Sequence, residues 1–246
     1  AMPRRYAVWL TALGAGAACG GFCKLFGGSG QDFFLTALCA ALGFFIRRLC
    51  TSYGFNTYAG IAITSFVTTM LAWATQFITG GLNWYPLIAC TLFLVPGIPL
   101  INAVDDLLNN FIVSGMTRAM HTLLVVGSMT FGIATAIRLG GVTDFTSVGL
   151  TPDTIYFSQA VAAAIASVGF SIIFNVPKRL LPVVAVGGII TVLIRNVAVM
   201  QFGASQAAGS FLGAAVVGLI ALKAIHWFHA PNIIMTIPSA IPMIPG

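Results

Sequence analysis

The chain reads as an all-α polytopic membrane protein arranged as an inverted repeat of about five transmembrane helices in each half, with a Pro-Gly-broken helix in each. Three observations carry that expectation. Of 246 residues, 59% are hydrophobic and 7% charged, and the mean hydropathy is +1.00, whereas a soluble domain carries about 25% charged residues. The stretch Leu94-Val-Pro-Gly-Ile-Pro-Leu-Ile-Asn-Ala-Val-Asp-Asp106 places two prolines, a glycine, an asparagine and two aspartates in a hydrophobic segment. Landmarks of the first half recur in the second at one spacing.

The spans follow from the ~20 apolar residues that a bilayer crossing needs. Span 1 runs from Tyr6 to Phe26 and ends at Gly27-Gly28-Ser29-Gly30; span 2 runs from Phe33 to Ile46 and ends at Arg47-Arg48. Span 3 runs from Tyr58 to Ile78, and span 4 starts near Trp84 and contains the break. Pro96 and Pro99 lack an amide N–H and their rings crowd a carbonyl one turn earlier, so the helix is expected to break near Gly97. Free backbone groups cost several kcal/mol each in hydrocarbon, so such breaks occur where helices line protein or a water-filled cavity. A polar interfacial segment, Asp105 to Ser114, precedes span 5, Met116 to Ile137. The long polar loop Arg138 to Asp153 leads to span 6, Ile155 to Phe174. Pro177 marks a sharp turn before span 7, Leu180 to Met200, and span 8 covers Ala207 to Phe228. A ninth span starts at Pro231 and is cut off at Gly246. The first apolar run leads straight into another span and is not a signal peptide.

Lys and Arg in the loops set the orientation. With a cytoplasmic N-terminus the inside set is Arg4, Arg5, Arg47, Arg48, Arg118, Lys178, Arg179 and Lys223, and the outside set is Lys24, Arg138 and Arg195, eight against three. The same scatter over loop ends excludes a nucleic-acid stripe as the meaning of the net charge of +6.

The repeat is the most informative pattern. Gly21-Phe-Cys-Lys-Leu-Phe26 parallels Gly169-Phe-Ser-Ile-Ile-Phe174 at an offset of 148, and Ile46-Arg47 parallels Ile194-Arg195 at the same offset. Pro96-Gly97 parallels Pro245-Gly246 at an offset of 149. Five spans precede the second unit, an odd number, so the halves face opposite ways. Inverted repeats with paired broken helices are a signature of secondary transporters, with the site near the midplane. Residues 1–140 form the first repeat, 141–154 an extracytoplasmic linker and 155–246 the second repeat of about four spans. The first half continues past its Pro-Gly and the second stops there, which predicts one further span in the full gene product.

Leu94 to Asp105 with Gly115-Met-Thr-Arg118, Phe174-Asn-Val-Pro-Lys-Arg179, and Ile237-Pro-Ser-Ala-Ile-Pro-Met-Ile-Pro-Gly246 together resemble the threonine/serine exporter (ThrE) family. Arg5-Tyr6 with Cys19-Gly-Gly-Phe-Cys-Lys-Leu25 is similar to YjjP, whose partner YjjB resembles the second half, so the chain resembles a fusion of that split exporter, which is associated with succinate. The resemblance implies export driven by the proton motive force through a ten-span bundle in a bacterial cytoplasmic membrane.

Candidate substrate-binding residues are Lys24, Pro96, Gly97, Pro99, Asn102, Asp105, Pro242, Pro245 and Gly246; candidate proton-coupling residues are Asp105, Asp106 and His121. An intramembrane aspartate costs at least ~2.5 to 3.5 kcal/mol unless paired or hydrated. The competing reading caps the next helix with both aspartates at the interface. Asn102 offers donor and acceptors to a ligand or to a neighbouring helix. Lys24 either snorkels to the surface or attracts a carboxylate. His121 lies one turn after Arg118. A substrate carboxylate is expected at the positive half-helix ends after the breaks. Five cysteines, Cys19, Cys23, Cys39, Cys50 and Cys90, sit in or beside apolar spans and read as packed thiols rather than a disulfide or metal set.

With no glutamate, no Walker motif and no catalytic Ser/His/Asp set, the chain reads as neither an ATPase nor an enzyme, and no cofactor or metal is implied. The expected function is secondary export of threonine or serine by proton antiport with alternating access; the alternative is dicarboxylate (succinate) export, and the other class is a passive channel or a membrane scaffold. A dianion leaving through 100 mV gains about twice ~2.3 kcal/mol, whereas a zwitterion gains nothing and needs an exchanged proton. The expected partners are the substrate, the proton and the lipid bilayer, with the oligomeric state, a homo-oligomer included, left open.

Overall fold

The computed structural model describes residues 5–80, 84–141, 156–228 and 232–243. Among these residues the secondary structure is entirely helical. The helices are α1 (Val8–Leu25), α2 (Gly30–Ser52), α3 (Thr57–Ala74), the short α4 (Gln76–Thr79) and α5 (Trp84–Ala89), α6 (Gly97–Leu108), α7 (Ile112–Leu139), α8 (Tyr156–Ile173), α9 (Leu181–Phe202), α10 (Gln206–Phe228) and α11 (Asn232–Ala240). Six helical stretches are long and apolar enough to cross a membrane, or seven if the bent pair Trp84–Leu94 and Gly97–Leu108 is one span. Among the described residues α8, over Phe157–Ile173, is a shorter apolar helix, and α11 has nine residues.

Local chemistry explains the boundaries. Ser29 and Asp32 form a capping box at the start of α2, each side chain receiving the other residue's backbone N–H. The helix then continues to Ser52. The expected end at Arg47-Arg48 is therefore corrected: both arginines lie inside the last two turns, since their long side chains reach the interface without breaking the helix. Gly80 and Gly203 end their helices at φ 73° and 62°, a left-handed conformation that glycine adopts without strain. The segment expected to be an interfacial stretch from Asp105 to Ser114 is the end of α6, a three-residue turn, and the start of α7.

The centre of the molecule is the antiparallel pair α1 and α8. Gly14 approaches Gly169 and Ile172, whereas Gly21, farther along α1, approaches Ala162 and Ala166 on the earlier part of α8. A Cβ on Gly21 would lie 2.8 Å from the Ala162 carbonyl oxygen, and one on Gly169 would lie 2.5 Å from that of Gly14. Small residues are what allow backbones to approach this closely in a bilayer. Around the pair lies an apolar cluster of Ala18, Phe22, Phe26, Ala162, Ala166, Phe170 and Phe174. Helix α2 packs on α1, α9 on α8, α3 on α2 and α10 on α9, while α7 covers α3 and α6. Large apolar side chains such as Trp9, Leu13, Phe34, Phe131 and Phe211 point outward, as lipid contact requires.

Replacing Gly21 or Gly169 by Ala is expected to force the α1–α8 pair apart, at the ~1 to 3 kcal/mol typical of overpacking. Thermal unfolding in detergent is expected to show a lowered midpoint for each variant. An unchanged midpoint in both would mean that the close approach contributes nothing.

Candidate functional site

The bent helix pair is built by its own sequence. From Trp84 the chain forms α5, passes through a 3-10 turn at Leu92–Leu94, and restarts as α6 at Gly97, the two parts bent by 56°. Pro96 takes φ −82° and ψ 58° outside the helical region, and its carbonyl accepts the first bond of α6, from Leu100 N–H at 3.1 Å. Pro99 sits in the first turn of α6, where a missing N–H leaves nothing unpaired. The 3-10 turn lies against the middle of the bundle, with the Cys19 thiol of α1 at the backbone of Leu92 and Phe93.

The other interrupted element is α11, which carries Pro238 inside it and passes directly into a 3-10 turn at Ile241–Met243. It packs on α9 and α10, and Ser239 donates to the carbonyls of Met235 at 2.8 Å and Val184 at 3.3 Å. Tyr85, Ile88, Ala89, Leu92 and Ile98 from the first interruption and Ile237 and Ile241 from the second join the same apolar cluster around Phe22 and Phe170. Of the candidates in this second element, Pro242 is buried, and Pro245 and Gly246 lie outside the described residues.

The polar candidates of α6 point elsewhere. Asn102 is half-buried on α6. Asp105 is exposed, eight residues and about 12 Å along the axis from Gly97, and accepts from the Asn109 side chain at 3.2 Å. Asp106 is enclosed instead: Arg118 Nη1 lies 3.3 Å from its carboxylate and Ser114 Oγ donates to it at 2.6 Å. Together these bonds tie α6 to α7. His121, exposed on α7, shares a 2.9 Å hydrogen bond between its Nδ1 and the Tyr58 hydroxyl of α3. Lys24 is half-buried and donates to the Gly28 carbonyl at 3.1 Å, closing the C-terminal end of α1. The structure thus places the described candidates in five places rather than one: the break before α6, the 3-10 turn after α11, the α6–α7 hairpin, the α3–α7 contact and the end of α1.

Two polar groupings escaped the sequence reading. One is a buried set on α8 and α9, in which Asn196 donates to Gln159 Oε1 and receives Arg195 Nη2 at 3.2 Å. Gln159 and Asn196 are each 1% exposed, and Gln159 Nε2 has no hydrogen-bond partner among the described residues. The other is a cavity of about 380 Å³ lined by Tyr6, Thr11, Arg47, Arg48, Thr51 and Asn175 among others. It lies where the start of α1, the end of α2 and the turn after α8 meet. Burial pushes the Tyr6 phenol above its ordinary value against the pull of Arg5, which keeps it a donor to the Val176 carbonyl at 2.7 Å. The Arg47 and Arg195 pairing at offset 148 was a signal for both groupings, but arginines at span ends read first as topology determinants.

A family profile described as "Putative threonine/serine exporter" matches residues 1–140, and one described as "Threonine/Serine exporter, ThrE" matches residues 159–246. Curated relatives are named "Probable succinate transporter subunit YjjP". That of Klebsiella aerogenes is 32% identical over 142 residues, covering 56% of this chain and 55% of the relative. That of Escherichia coli strain K12 is 30% identical over 141 residues with the same coverage. The chain spans about half the length of these curated relatives. No solved structure matches.

The Asp106–Arg118 pair is partly exposed, at 17% and 48% for the two side chains, so its contribution belongs to the ~0.2 to 1 kcal/mol class of exposed pairs. A double-mutant cycle with Asp106→Asn and Arg118→Gln, read by unfolding in detergent, is expected to give a coupling in that range. A coupling of zero would leave the hairpin held by apolar contacts alone.

Proposed function

The chain belongs to the threonine/serine exporter family, and we propose that it is a secondary transporter that exports small carboxylate-bearing metabolites by alternating access between two inverted halves. The observation that carries this reading is the reciprocity of the α1–α8 contact. Gly21 approaches Ala162 and Ala166, which lie 148 residues after Gly14 and Ala18; Gly169, 148 residues after Gly21, approaches Gly14 and Ala18. These contacts of one half are returned by the other, which supports a twofold relation. Phe22 and Phe170, also 148 apart, meet edge to face at 5.6 Å. In this reading the axis runs perpendicular to the antiparallel α1 and α8, in the plane of the membrane.

The interrupted elements support the same relation. Helix α11 begins 148 residues after α5, and its 3-10 turn begins 149 residues after that of the first break. Both enter one cluster around Phe22 and Phe170, which is where a site shared by two broken helices is expected. Pro96, Gly97, Pro99, Asn102 and Pro242 then border the path, and Asp105, exposed and without a cation partner among the described residues, is the first candidate for the exchanged proton. Asp106 and His121 are already engaged in hydrogen bonds and hold helices together in this reading.

Two substrates remain in play, each with its own support. The family description favours threonine and serine. The succinate transporter subunits among the relatives favour a dicarboxylate, which the membrane potential alone drives outward. We place the protein in the bacterial cytoplasmic membrane with its N-terminus inside, from the loop charges.

Counterflow in proteoliposomes tests the function: saturable exchange of labelled threonine, serine or succinate is expected, and flux that neither saturates nor shows counterflow would replace the exporter with a channel. Asp105→Asn is expected to abolish pH-driven threonine efflux while leaving the unfolding midpoint unchanged. Unchanged pH-driven efflux in that variant would remove Asp105 from the mechanism.

A further inference from the structure

The cavity between α1, α2 and the turn after α8 has the chemistry of an anion site. Its polar lining contains no carboxylate. Asp32 is engaged in the capping box at the opposite end of α2, about 22 Å along the axis from Arg47. Asp105 and Asp106 are held in the α6–α7 hairpin. Among the described residues neither Arg47 nor Arg48 has an ion-pair partner. The remaining polar groups are turned to local use. Thr11 Oγ1 donates to the Ala7 carbonyl, Thr51 Oγ1 to the Arg47 carbonyl, and Tyr6 to Val176. The charged residues on its lining are therefore Arg47 and Arg48, both cationic and both in the last two turns of α2.

The placement of Arg47 is more specific than orientation in the bilayer requires. Its Nη1 lies 2.8 Å from the point where Gly60 of α3 would carry a Cβ, so the guanidinium rests against bare backbone in space that a larger residue would fill. It is half-buried, whereas Arg48 is exposed. Two further basic residues touch lining residues: the Arg5 amide N–H donates to Asn175 Oδ1 at 2.8 Å, and Lys178 Nζ sits 6.0 Å from the centroid of the Tyr6 ring. The site spans both halves of the chain, since Tyr6, Thr11, Arg47 and Arg48 come from the first and Ile172, Ile173 and Asn175 from the second.

We propose that this cavity is a binding site for a small oxyanion, in which Arg47 and Arg48 hold a carboxylate by charge-assisted hydrogen bonds before it moves toward the centre of the protein. The assignment rests on the exporter reading only for its direction; the binding itself does not. A volume of about 380 Å³ accommodates a four-carbon dicarboxylate with its waters. A planar guanidinium matches a carboxylate in a two-pronged geometry that lysine cannot reproduce. A lipid phosphate presents the same chemistry, and the experiment separates the two sources.

The test uses the full chain in nanodiscs of phosphatidylcholine alone, labelled with the arginine reagent phenylglyoxal and read by peptide mass spectrometry, with succinate as the probe. Succinate is expected to slow labelling of Arg47 and Arg48 while leaving exposed Arg138 unchanged. In Arg47→Gln, protection of Arg48 is expected to need about tenfold more succinate, the size of a lost charge-assisted bond, and Arg47→Lys is expected to restore only part of it. Absence of protection, or equal protection of Arg138, overturns the site. Protection that appears only when phosphatidylglycerol is added, and never with succinate, assigns the cavity to a lipid headgroup and overturns its role in substrate uptake. Protection by succinate without counterflow leaves the site standing and removes the exporter reading; counterflow without protection does the reverse.

Discussion

The arrangement of this protein depends on the backbone-to-backbone contact of α1 and α8. In hydrocarbon there is no hydrophobic force between two apolar helices, so association rests on packing, and packing is strongest where side chains are smallest. Gly14, Ala18 and Gly21 on one helix and Ala162, Ala166 and Gly169 on the other meet that condition in the same register. Everything else is layered on this pair: α2 and α9 pack on its two members, α3 and α10 on those, and both interrupted elements enter the aromatic cluster beside it. Even a methyl added at Gly21 or Gly169 would meet backbone of the other helix at 2.8 or 2.5 Å.

Such a contact also explains why the breaks are tolerable. An interrupted helix leaves backbone groups that lipid cannot satisfy. Around the first break these groups lie against α1, where the Cys19 thiol meets the backbone of Leu92 and Phe93. Around the second, Ser239 bridges to the Val184 carbonyl of α9. The interruption in each half is thus supported by the half's own first helices, and the close pair sets the distance between the two.

Much of this was legible in the sequence. Hydropathy gave the spans because ~20 apolar residues have only one common use, and Pro96-Gly97 gave the bend because proline removes a donor wherever it stands. The proposed repeat rests on landmarks the sequence shows directly, Gly21 with Gly169 and Arg47 with Arg195. The site was less legible. Asp105 and Asp106 are neighbours in sequence, yet one faces outward and the other is held by Arg118 and Ser114, a difference set by helix phase and by the α6–α7 turn. The end of α2 was misplaced because a charge pair looks like a loop, while a capped helix carries it through to Ser52. Gln159 went unnoticed because a single amide in an alanine-rich helix carries no pattern.

The departures from the proposed repeat are as informative as its agreements. Arg47 in the first half opens on a cavity, whereas its counterpart Arg195 reaches Asn196, which is bonded in turn to buried Gln159. Trp73 packs against Cys39, Leu87 and Cys90 in the first half, while at the position 148 residues on, Ala221 leaves a groove of about 320 Å³ lined also by Gly187, Met235 and Ser239. The two halves are therefore unlike in packing, with a polar cavity beside Arg47 in the first and an apolar groove beside Ala221 in the second. In a transporter made of inverted repeats, alternating access is the exchange of these two arrangements between the halves. In the proposed mechanism, Arg47, without an ion-pair partner among the described residues, and Arg195, bonded to Asn196, are what that exchange would trade.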